Sequence, residues 1–376
     1  MKKFFIFCIS VICLIIFFVM TYSKPTDDVV LKFSTWGSAS EMSILAPIIK
    51  DFENSHKGVK VEVLHIPQDY FQKLHLLFAS NMEPDVVLIN NQNIPVYSKF
   101  LTNLEEIIDK KNYYNKSIEC MTYENRLYAV PRDCSGLVIY YNKDIFDKYG
   151  VSYPTTTWSL DDLLNISKKL TKNGCWGISY EPSIYYALPY MHTFGGGVYN
   201  GTGYIGENKD TVKGLNFYND LAYKYHYAPM PSEVGSKTLA QMFLEGNLAM
   251  HLSGRWMIPK YRTSAKFRWD VVNFPDYKAT NDATGWAISK RSHNKKLAKE
   301  FVQYLSSRNS INKFSEDGLI VPARKDVSNS KMFLTGEPKN SKIFIDSVEK
   351  ANITIVGKNF NRDIDRLNEK YLNEAK

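Results

Sequence analysis

Trp256 has a sequence position from which an aromatic ring could bind a small molecule. It follows a short apolar run, Leu248 to Ser253, whose length is typical of a buried strand, and Gly254 opens the turn between them. Ligands of open α/β sheets bind beyond the carboxyl ends of strands, where a flat ring can serve as a platform. We therefore predict that Trp256 lies in a binding cleft.

Aromatic and polar side chains also follow three predicted strands near the beginning of the chain. Trp36, Gln68 and Asn91 each come shortly after an apolar or alternating segment. Segments of helical periodicity separate these strands, and such an alternation predicts a parallel sheet with right-handed crossovers. All three side chains would then lie at one edge of an α/β sheet. The predicted strands are 29–34, 59–64 and 85–89, and the predicted helices are 41–54 and 69–81.

Sequence motifs typical of catalysis are absent. The seven His residues are scattered without zinc-site spacing, and neither a P-loop nor a G-x-S-x-G elbow occurs. Gly201 to Gly206 match the dinucleotide fingerprint G-x-G-x-x-G, but a glycine-rich loop precedes them, which predicts a loop or hairpin. We expect no metal, no cofactor and no enzymatic activity. A pair of carboxylates for glycoside hydrolysis stays open, because two acids can converge from any part of a chain.

The composition is that of a globular protein large enough for two domains. The chain has 376 residues, of which 44% are hydrophobic and 23% charged. Its net charge of +8 is spread without a dense Lys/Arg block, so we expect no nucleic-acid partner. Cys120, Cys134 and Cys175 follow the N-terminal region, and an odd number cannot pair completely. One disulfide or three buried thiols are both compatible with this count.

The N-terminal region has the pattern of an export signal. Lys2 and Lys3 precede an uncharged, mostly apolar run from Phe4 to Met20, and small residues up to Ser23 suit cleavage there. We predict a signal peptide at residues 1–23, with an uncleaved membrane anchor as the alternative, since the run is slightly short for a spanning helix. The protein would be periplasmic, or extracytoplasmic and associated with the membrane.

Five motifs in one order connect the chain to a known family. The sequence resembles the extracellular solute-binding proteins of family 1, the maltose-binding-protein-like sugar-binding components of ABC importers. Each motif alone is weak, but together they span nearly the whole chain after residue 23. They are PDVVLINN at 84–91, LYAVPRDCSGLVIYYNKD at 127–144, F-x-x-G-x-x-A-M with G-x-W at 243–256, TGWAISK at 284–290 and LIVPAR at 319–324.

The resemblance implies a two-lobed periplasmic-binding-protein fold of type II. Each lobe would be a mostly parallel sheet flanked by helices, and three crossovers between the lobes would form a hinge. By this likeness, lobe 1 comprises residues 28–139 and 268–312, and lobe 2 comprises residues 140–267 and 313–376. We expect the third crossover near 310–324.

The resemblance also implies a set of ligand-binding residues in the cleft between the lobes. Trp256 and Trp286 would be aromatic platforms, with a core position as the alternative for either ring. Asp133 would accept hydrogen bonds from hydroxyl groups, unless it only caps a turn, and Arg324 could instead form a surface ion pair. The complete predicted set is Trp36, Glu41, Asn91, Asp133, Trp256, Gly285, Trp286 and Arg324.

The function implied by the resemblance is capture of a mono-, di- or oligosaccharide for an ABC permease. The protein would act as a monomer, and its lobes would close around the ligand without changing it chemically. An alternative ligand is glycerol-3-phosphate or a glycerophosphodiester, although the subgroup that binds these would have Tyr at the position of Leu319. A more remote alternative is an exported carbohydrate-active enzyme.

Overall fold

A computed structural model describes residues 28–372 of the chain as two β-sheets surrounded by helices. The predicted signal peptide lies outside the described residues. The strands are β1 Val29–Thr35, β2 Val59–His65, β3 Val86–Asn90, β4 Thr122–Tyr123, β5 Arg126–Leu127, β6 Val130–Gly136, β7 Val138–Asn142, β8 Met250–Ser253, β9 Trp269–Asn273, β10 Thr280–Ile288, β11 Val321–Pro322 and β12 Asn352–Ile353.

The helices cover the faces of the two sheets. They are α1 Ala39–Ser55, α2 Tyr70–Ala79, α3 Ile94–Tyr97, α4 Asn115–Cys120, α5 Lys143–Tyr149, α6 Leu160–Leu170, α7 Ile184–Thr193, α8 Lys209–Tyr223, α9 Pro231–Val234, α10 Leu239–Leu244, α11 Ile258–Ser264, α12 Lys295–Leu305, α13 Arg308–Glu316, α14 Lys325–Ser328, α15 Lys331–Leu334, α16 Lys342–Lys350 and α17 Phe360–Tyr371. Short 3₁₀ turns include Arg255–Met257, directly after β8 and Gly254.

The larger sheet has seven strands in the order β11-β6-β10-β3-β1-β2, with β12 also pairing with β10. Strands β1, β2 and β3 are parallel, as the alternating sequence pattern predicts. Strand β10 runs antiparallel between β3 and β6. The carboxyl ends of β1 and β3 therefore share one edge of the sheet, and α1 begins nearby with Ser38 as its N-cap. We call this sheet and its helices the first lobe.

The smaller sheet has three antiparallel strands in the order β8-β7-β9, so the expectation of a mostly parallel sheet in each lobe is wrong for this one. It forms the second lobe together with α5 to α8 and α17, which share one hydrophobic core with it. This arrangement differs from the predicted division of the chain. Strand β9 was predicted in lobe 1 but pairs with β7, and β11 and β12 were predicted in lobe 2 but pair with β6 and β10. Apolar strands fit either sheet, so their pattern alone does not assign them.

Within residues 28–372, two passages connect a strand of one sheet with a strand of the other, and a third connects a strand of the larger sheet with a helix of the second lobe. The first passage is Leu137, between β6 and β7, and the second is the segment 274–279, between β9 and β10. The third is the segment 354–359, which leads from β12 to α17 on the second lobe. Strand β11, inside the predicted third crossover near 310–324, pairs with β6 in the larger sheet. Helix α16, further along the chain, packs against both β6 and β9.

Several further predictions can be compared with the described residues. Cys120, Cys134 and Cys175 are buried free thiols, which agrees with the alternative of three unpaired cysteines. Tyr199 and Tyr204 form an isolated antiparallel β-bridge, so the chain turns back on itself within the segment Gly201 to Gly206, as expected for a loop or hairpin. Between residues 28 and 372, no helix is both long enough and apolar enough to cross a membrane.

Candidate functional site

A cleft lies between the lobes and has three connected compartments that share Trp256. The central compartment has a volume of about 230 Å³ and is lined by both lobes. The tyrosine compartment, of about 240 Å³, lies on one side of it, and the outer compartment, of about 630 Å³, shares Trp256 and Leu319 with it. The central compartment is lined by Trp36, Glu41, Arg132, Asp133, Cys134, Ser135, Arg255, Trp256, Thr284, Leu319, Ile320 and Val321.

The position of Trp256 follows from the strand and glycine that precede it. Strand β8 ends at Ser253, and the ring of Trp256 folds back over the backbone of Gly254. A Cβ atom at residue 254 would lie only 1.9 Å from Cζ3 of that ring, so glycine is required for this close approach. Trp256 is 39% exposed, which leaves part of its ring free to contact a ligand. The cleft position predicted for Trp256 agrees with this geometry.

A charged network forms the first-lobe wall of the central compartment. Arg132 on β6 donates a hydrogen bond from Nη1 to Oε1 of Glu41 at 2.6 Å and another from Nε to Oδ2 of Asp133 at 2.6 Å. The guanidinium carbon of Arg132 also lies 5.5 Å from the ring centroid of Phe314. All three charged residues are buried. Arg132 therefore fixes the two carboxylates and leaves the group with one net negative charge.

Burial and pairing have opposite effects on the pKa values of this network. Burial raises the pKa of Asp133, and the nearby Arg132 guanidinium offsets part of that increase. Burial alone would lower the pKa of Arg132, but Asp133 and Glu41 more than compensate, so its pKa is raised overall. Arg132 stays charged at neutral pH, and the remaining lone pairs of the carboxylates can accept hydrogen bonds from a ligand.

The tyrosine compartment contains a second acidic group opposite two aromatic side chains. Asp282 on β10 lines it from the first lobe, and Tyr185 and Tyr186 line it from α7 of the second lobe. Asn91 donates a hydrogen bond from Nδ2 to Oδ1 of Asp282 at 2.9 Å and accepts one from the N–H of Ala283 at 3.2 Å. Burial raises the pKa of Asp282, and hydrogen bonds to its carboxylate, including the one from Asn91, partly offset the shift.

The structure brings four of the eight predicted site residues together. Trp36, Glu41, Asp133 and Trp256 all line the central compartment. Trp36 follows β1 and is fixed by edge-to-face contact with Tyr70, whose ring centroid is 4.9 Å away. Trp256 belongs to the second lobe and the other three residues belong to the first. They form one binding surface only where the two lobes face each other.

The prediction of a second platform at Trp286 is wrong. Trp286 is 1% exposed and packs in the core near Phe314, because β10 is flanked by β3 and β6 and the face that carries the ring is covered. Gly285 has a structural role beside it. A Cβ atom there would lie 2.4 Å from the carbonyl oxygen of Val130, so glycine permits the close pairing of β10 with β6.

Asn91 and Arg324 also lie outside the cleft lining. Asn91 is 1% exposed, and its side-chain amide donates a hydrogen bond to Asp282, which positions that carboxylate. Arg324 donates hydrogen bonds from Nε and Nη2 to Asp326 at 3.0 and 2.9 Å and one from Nη1 to the carbonyl oxygen of Ser306. The prediction that Arg324 faces the ligand is wrong, and the alternative of an ion pair describes it.

Five cleft residues were missed by the sequence reasoning: Arg132, Arg255, Asp282, Tyr185 and Tyr186. Three of them had a sequence signal, because Arg132 and Arg255 adjoin predicted site residues and Asp282 lies two positions before the TGWAISK motif. The two tyrosines had none that separated them from other aromatic residues of the same segment. Between residues 28 and 372, no cluster of three or more His, Cys, Asp or Glu side chains could hold a metal ion.

A family model for bacterial extracellular solute-binding proteins matches residues 47–339, which is most of the chain. The chain belongs to this family. Membership confirms the resemblance seen in the sequence and places this solute-binding protein among exported proteins that bind a ligand. It accounts for a two-lobed structure with a cleft whose walls come from both lobes.

Two curated relatives and a solved structure illustrate the similarity. The galactooligosaccharide-binding protein of Bacillus subtilis is 25% identical over 325 residues, covering 80% of this chain and 75% of the relative. The maltodextrin-binding protein of the same species is 26% identical over 247 residues, covering 60% and 58%. An ABC substrate-binding protein from Listeria monocytogenes, solved in complex with cycloalternan, superimposes with a TM-score of 0.82 at 24% identity, covering 91% and 92%. Such neighbours establish the predicted type II periplasmic-binding-protein fold.

Proposed function

We propose that this solute-binding protein captures a carbohydrate in the cleft and delivers it to an ABC permease. The observation that carries the proposal is the partly exposed ring of Trp256 between two acidic groups, Asp133 and Asp282, in adjoining compartments. The relatives named for galactooligosaccharide and maltodextrin binding support the same ligand class.

The chemistry of a sugar matches these side chains. A pyranose ring has an apolar C–H face that can stack on an indole, and a rim of hydroxyl groups that donate and accept hydrogen bonds. Carboxylates held by Arg132 or Asn91 accept strongly from hydroxyl donors and do not need to reorganise first. A neutral, hydroxyl-rich ligand therefore uses both kinds of group in this cleft.

The division of the cleft favours a ligand of two or more sugar units. The central and tyrosine compartments share Ser135, Trp256 and Thr284, so one ligand can extend from one compartment into the other. A monosaccharide would fill only part of this space. The outer compartment leaves further room beyond Leu319 for a longer oligosaccharide.

Ligand binding would stabilise the closed arrangement of the lobes. Trp256, Tyr185 and Tyr186 belong to the second lobe, whereas Asp133 and Asp282 belong to the first, so a bound sugar contacts both. A ligand shifts a conformational equilibrium by its extra affinity for one state, and here the extra contacts exist in the closed state. We propose that the closed monomer then engages the permease and that the sugar is released unchanged.

Isothermal titration calorimetry with a panel of mono-, di- and oligosaccharides of glucose and galactose tests this proposal. We expect saturable binding of at least one di- or oligosaccharide and recovery of intact ligand by mass spectrometry. Glycerol-3-phosphate and glycerophosphocholine belong in the panel as the alternative ligands. Binding of only these two would contradict the carbohydrate proposal, and hydrolysis of a bound sugar would indicate an enzyme.

A further inference from the structure

Asp282 in the tyrosine compartment carries a negative charge that no cation in the described part of the chain neutralises. Among the eleven described residues that line this compartment, it alone is charged. None of the ion pairs within residues 28–372 includes it. Its Oδ1 atom accepts a hydrogen bond from the neutral amide of Asn91, which orients the carboxylate without cancelling its charge. The proposed function uses Asp282 as an acceptor for hydroxyl groups and leaves this charge unexplained.

The other two compartments of the cleft have balanced charges. Each is lined, within residues 28–372, by two acidic and two basic residues. These are Glu41, Asp133, Arg132 and Arg255 in the central compartment, and Glu316, Asp317, Lys260 and Arg262 in the outer compartment. The excess negative charge of the cleft lining is therefore located in the tyrosine compartment, at Asp282.

A ligand in the tyrosine compartment meets this carboxylate on one wall and aromatic rings on the other. Asp282 is only partly buried and lines the compartment from the first lobe. On the second lobe, Tyr185 is 36% exposed and Trp256 is 39% exposed. Burial raises the pKa of Tyr185, and the negative charge of Asp282 raises it further, so the field of the carboxylate extends across the compartment.

A carboxylate beside aromatic rings favours a cation over a neutral group. The face of an indole or phenol ring attracts positive charge, and aromatic side chains recognise ammonium ligands in this way. A protonated amine also donates a charge-assisted hydrogen bond to a carboxylate. A sugar hydroxyl donates to Asp282 but leaves its charge uncompensated, whereas an ammonium group neutralises it. An anionic group would be repelled.

We propose that the tyrosine compartment binds a positively charged nitrogen of the ligand, with Asp282 as its counter-ion and the rings of Tyr185 and Trp256 beside it. The inference rests on the proposed function and narrows its ligand class to oligosaccharides that contain an amino sugar with a free amino group. Because the two compartments adjoin, the neighbouring neutral unit occupies the central compartment. The same ammonium chemistry occurs in a choline-bearing glycerophosphodiester, which belongs to the alternative ligand class.

Calorimetry with three matched ligands tests this assignment. A neutral disaccharide is compared with the same disaccharide in which one unit, at either end in turn, is a hexosamine. The third ligand is the N-acetylated form of that hexosamine disaccharide, which keeps the nitrogen but has no charge. We expect wild type to bind the free amine about 10- to 100-fold more tightly than either neutral ligand, as charge-assisted hydrogen bonds predict. The preference should disappear in Asp282→Asn, which keeps the shape of the side chain and an oxygen that can accept from Asn91.

Asp161→Asn is the matched control, because it removes the same charge from an exposed side chain of α6, outside the cleft lining, and should retain the preference. Equal affinity of wild type for charged and neutral ligands would overturn the inference while leaving carbohydrate binding intact, and this comparison needs no variant. A preference that survives in Asp282→Asn would overturn it as well.

Glycerophosphocholine distinguishes the two sources of the ammonium group, because it carries a quaternary ammonium without a sugar. If it binds to wild type, binds more weakly to Asp282→Asn, and no carbohydrate binds, the cation site is upheld and the proposed function fails. If neither glycerophosphocholine nor any carbohydrate, neutral or amino, binds to wild type, both the inference and the proposed function fail.

Discussion

Replacing Trp256 by Ala isolates the contribution of the cleft platform to binding. The side chain exposes 39% of its surface, which is roughly 100 Å² for a residue of about 250 Å². If a sugar covers most of that area, burial at about 25 cal/mol per Å² contributes about 2.5 kcal/mol to the binding free energy. Trp256→Ala should therefore raise the Kd about 60-fold, and Trp256→Phe should have an intermediate effect.

The assay is calorimetric titration of the best sugar found in the panel, which does not depend on tryptophan fluorescence. Urea unfolding of each variant separates lost binding from lost folding. Trp286→Ala is the informative comparison, because that ring is 1% exposed and its removal should lower the free energy of unfolding by about 3–5 kcal/mol. A folded Trp256→Ala variant that binds the sugar within threefold of wild type would refute the platform assignment.

Three further predictions concern Arg132, Gly254 and His251, the last of which is a buried residue of β8. Arg132→Met leaves its two carboxylate partners buried and unpaired, so urea unfolding should show a loss of about 3–5 kcal/mol in stability, together with loss of binding; unchanged stability would contradict the network. Gly254→Ala displaces the ring of Trp256, so calorimetry should show at least a tenfold rise in Kd, although residue 254 need not touch the ligand; wild-type affinity would show that the ring tolerates the methyl group. Burial lowers the pKa of His251 to about 3, so the unfolded chain binds a proton below pH 6.5 that the folded chain does not. Stability should thus fall by about 1.6 kcal/mol for this residue between pH 6.5 and pH 5, and urea unfolding of His251→Gln should show a correspondingly smaller loss.

Local sequence patterns predicted where strands and helices form better than they predicted which sheet a strand joins. The alternating strands and helices before residue 90 depend on nearby residues, and β1, α1, β2 and β3 form close to the predicted positions. The sheet to which β9 belongs depends instead on pairing with β7, more than a hundred residues away, and no local signal specifies that partner.

The contrast between Trp256 and Trp286 shows the same limit at the site. Both follow glycine within one or two residues and both belong to family motifs, so the local sequence does not distinguish the two tryptophans. Trp256 lies beyond the end of β8, where its ring meets open space, whereas Trp286 lies inside β10 between two paired strands. Whether a ring is a platform or part of the core is decided by what covers it in three dimensions.

Asp282 and Arg255, two polar residues of the cleft, were not predicted for a related reason. The segment 275–284 that contains Asp282 is rich in Asp, Asn and Thr, a composition typical of a loop, but its second half begins β10 and pairs with β6. That pairing, together with the amide of Asn91, turns an ordinary acidic residue into a positioned acceptor. Arg255 similarly becomes notable only when its lack of a counter-ion is visible.

A crystal structure of the protein grown with the tightest-binding carbohydrate tests the central claim most directly. We expect one sugar ring stacked on Trp256, with hydroxyl groups within hydrogen-bond distance of Asp133 and with a second unit reaching Asp282. A carbohydrate bound elsewhere, with Trp256 still uncovered, would contradict the assignment of this cleft as the ligand-binding site.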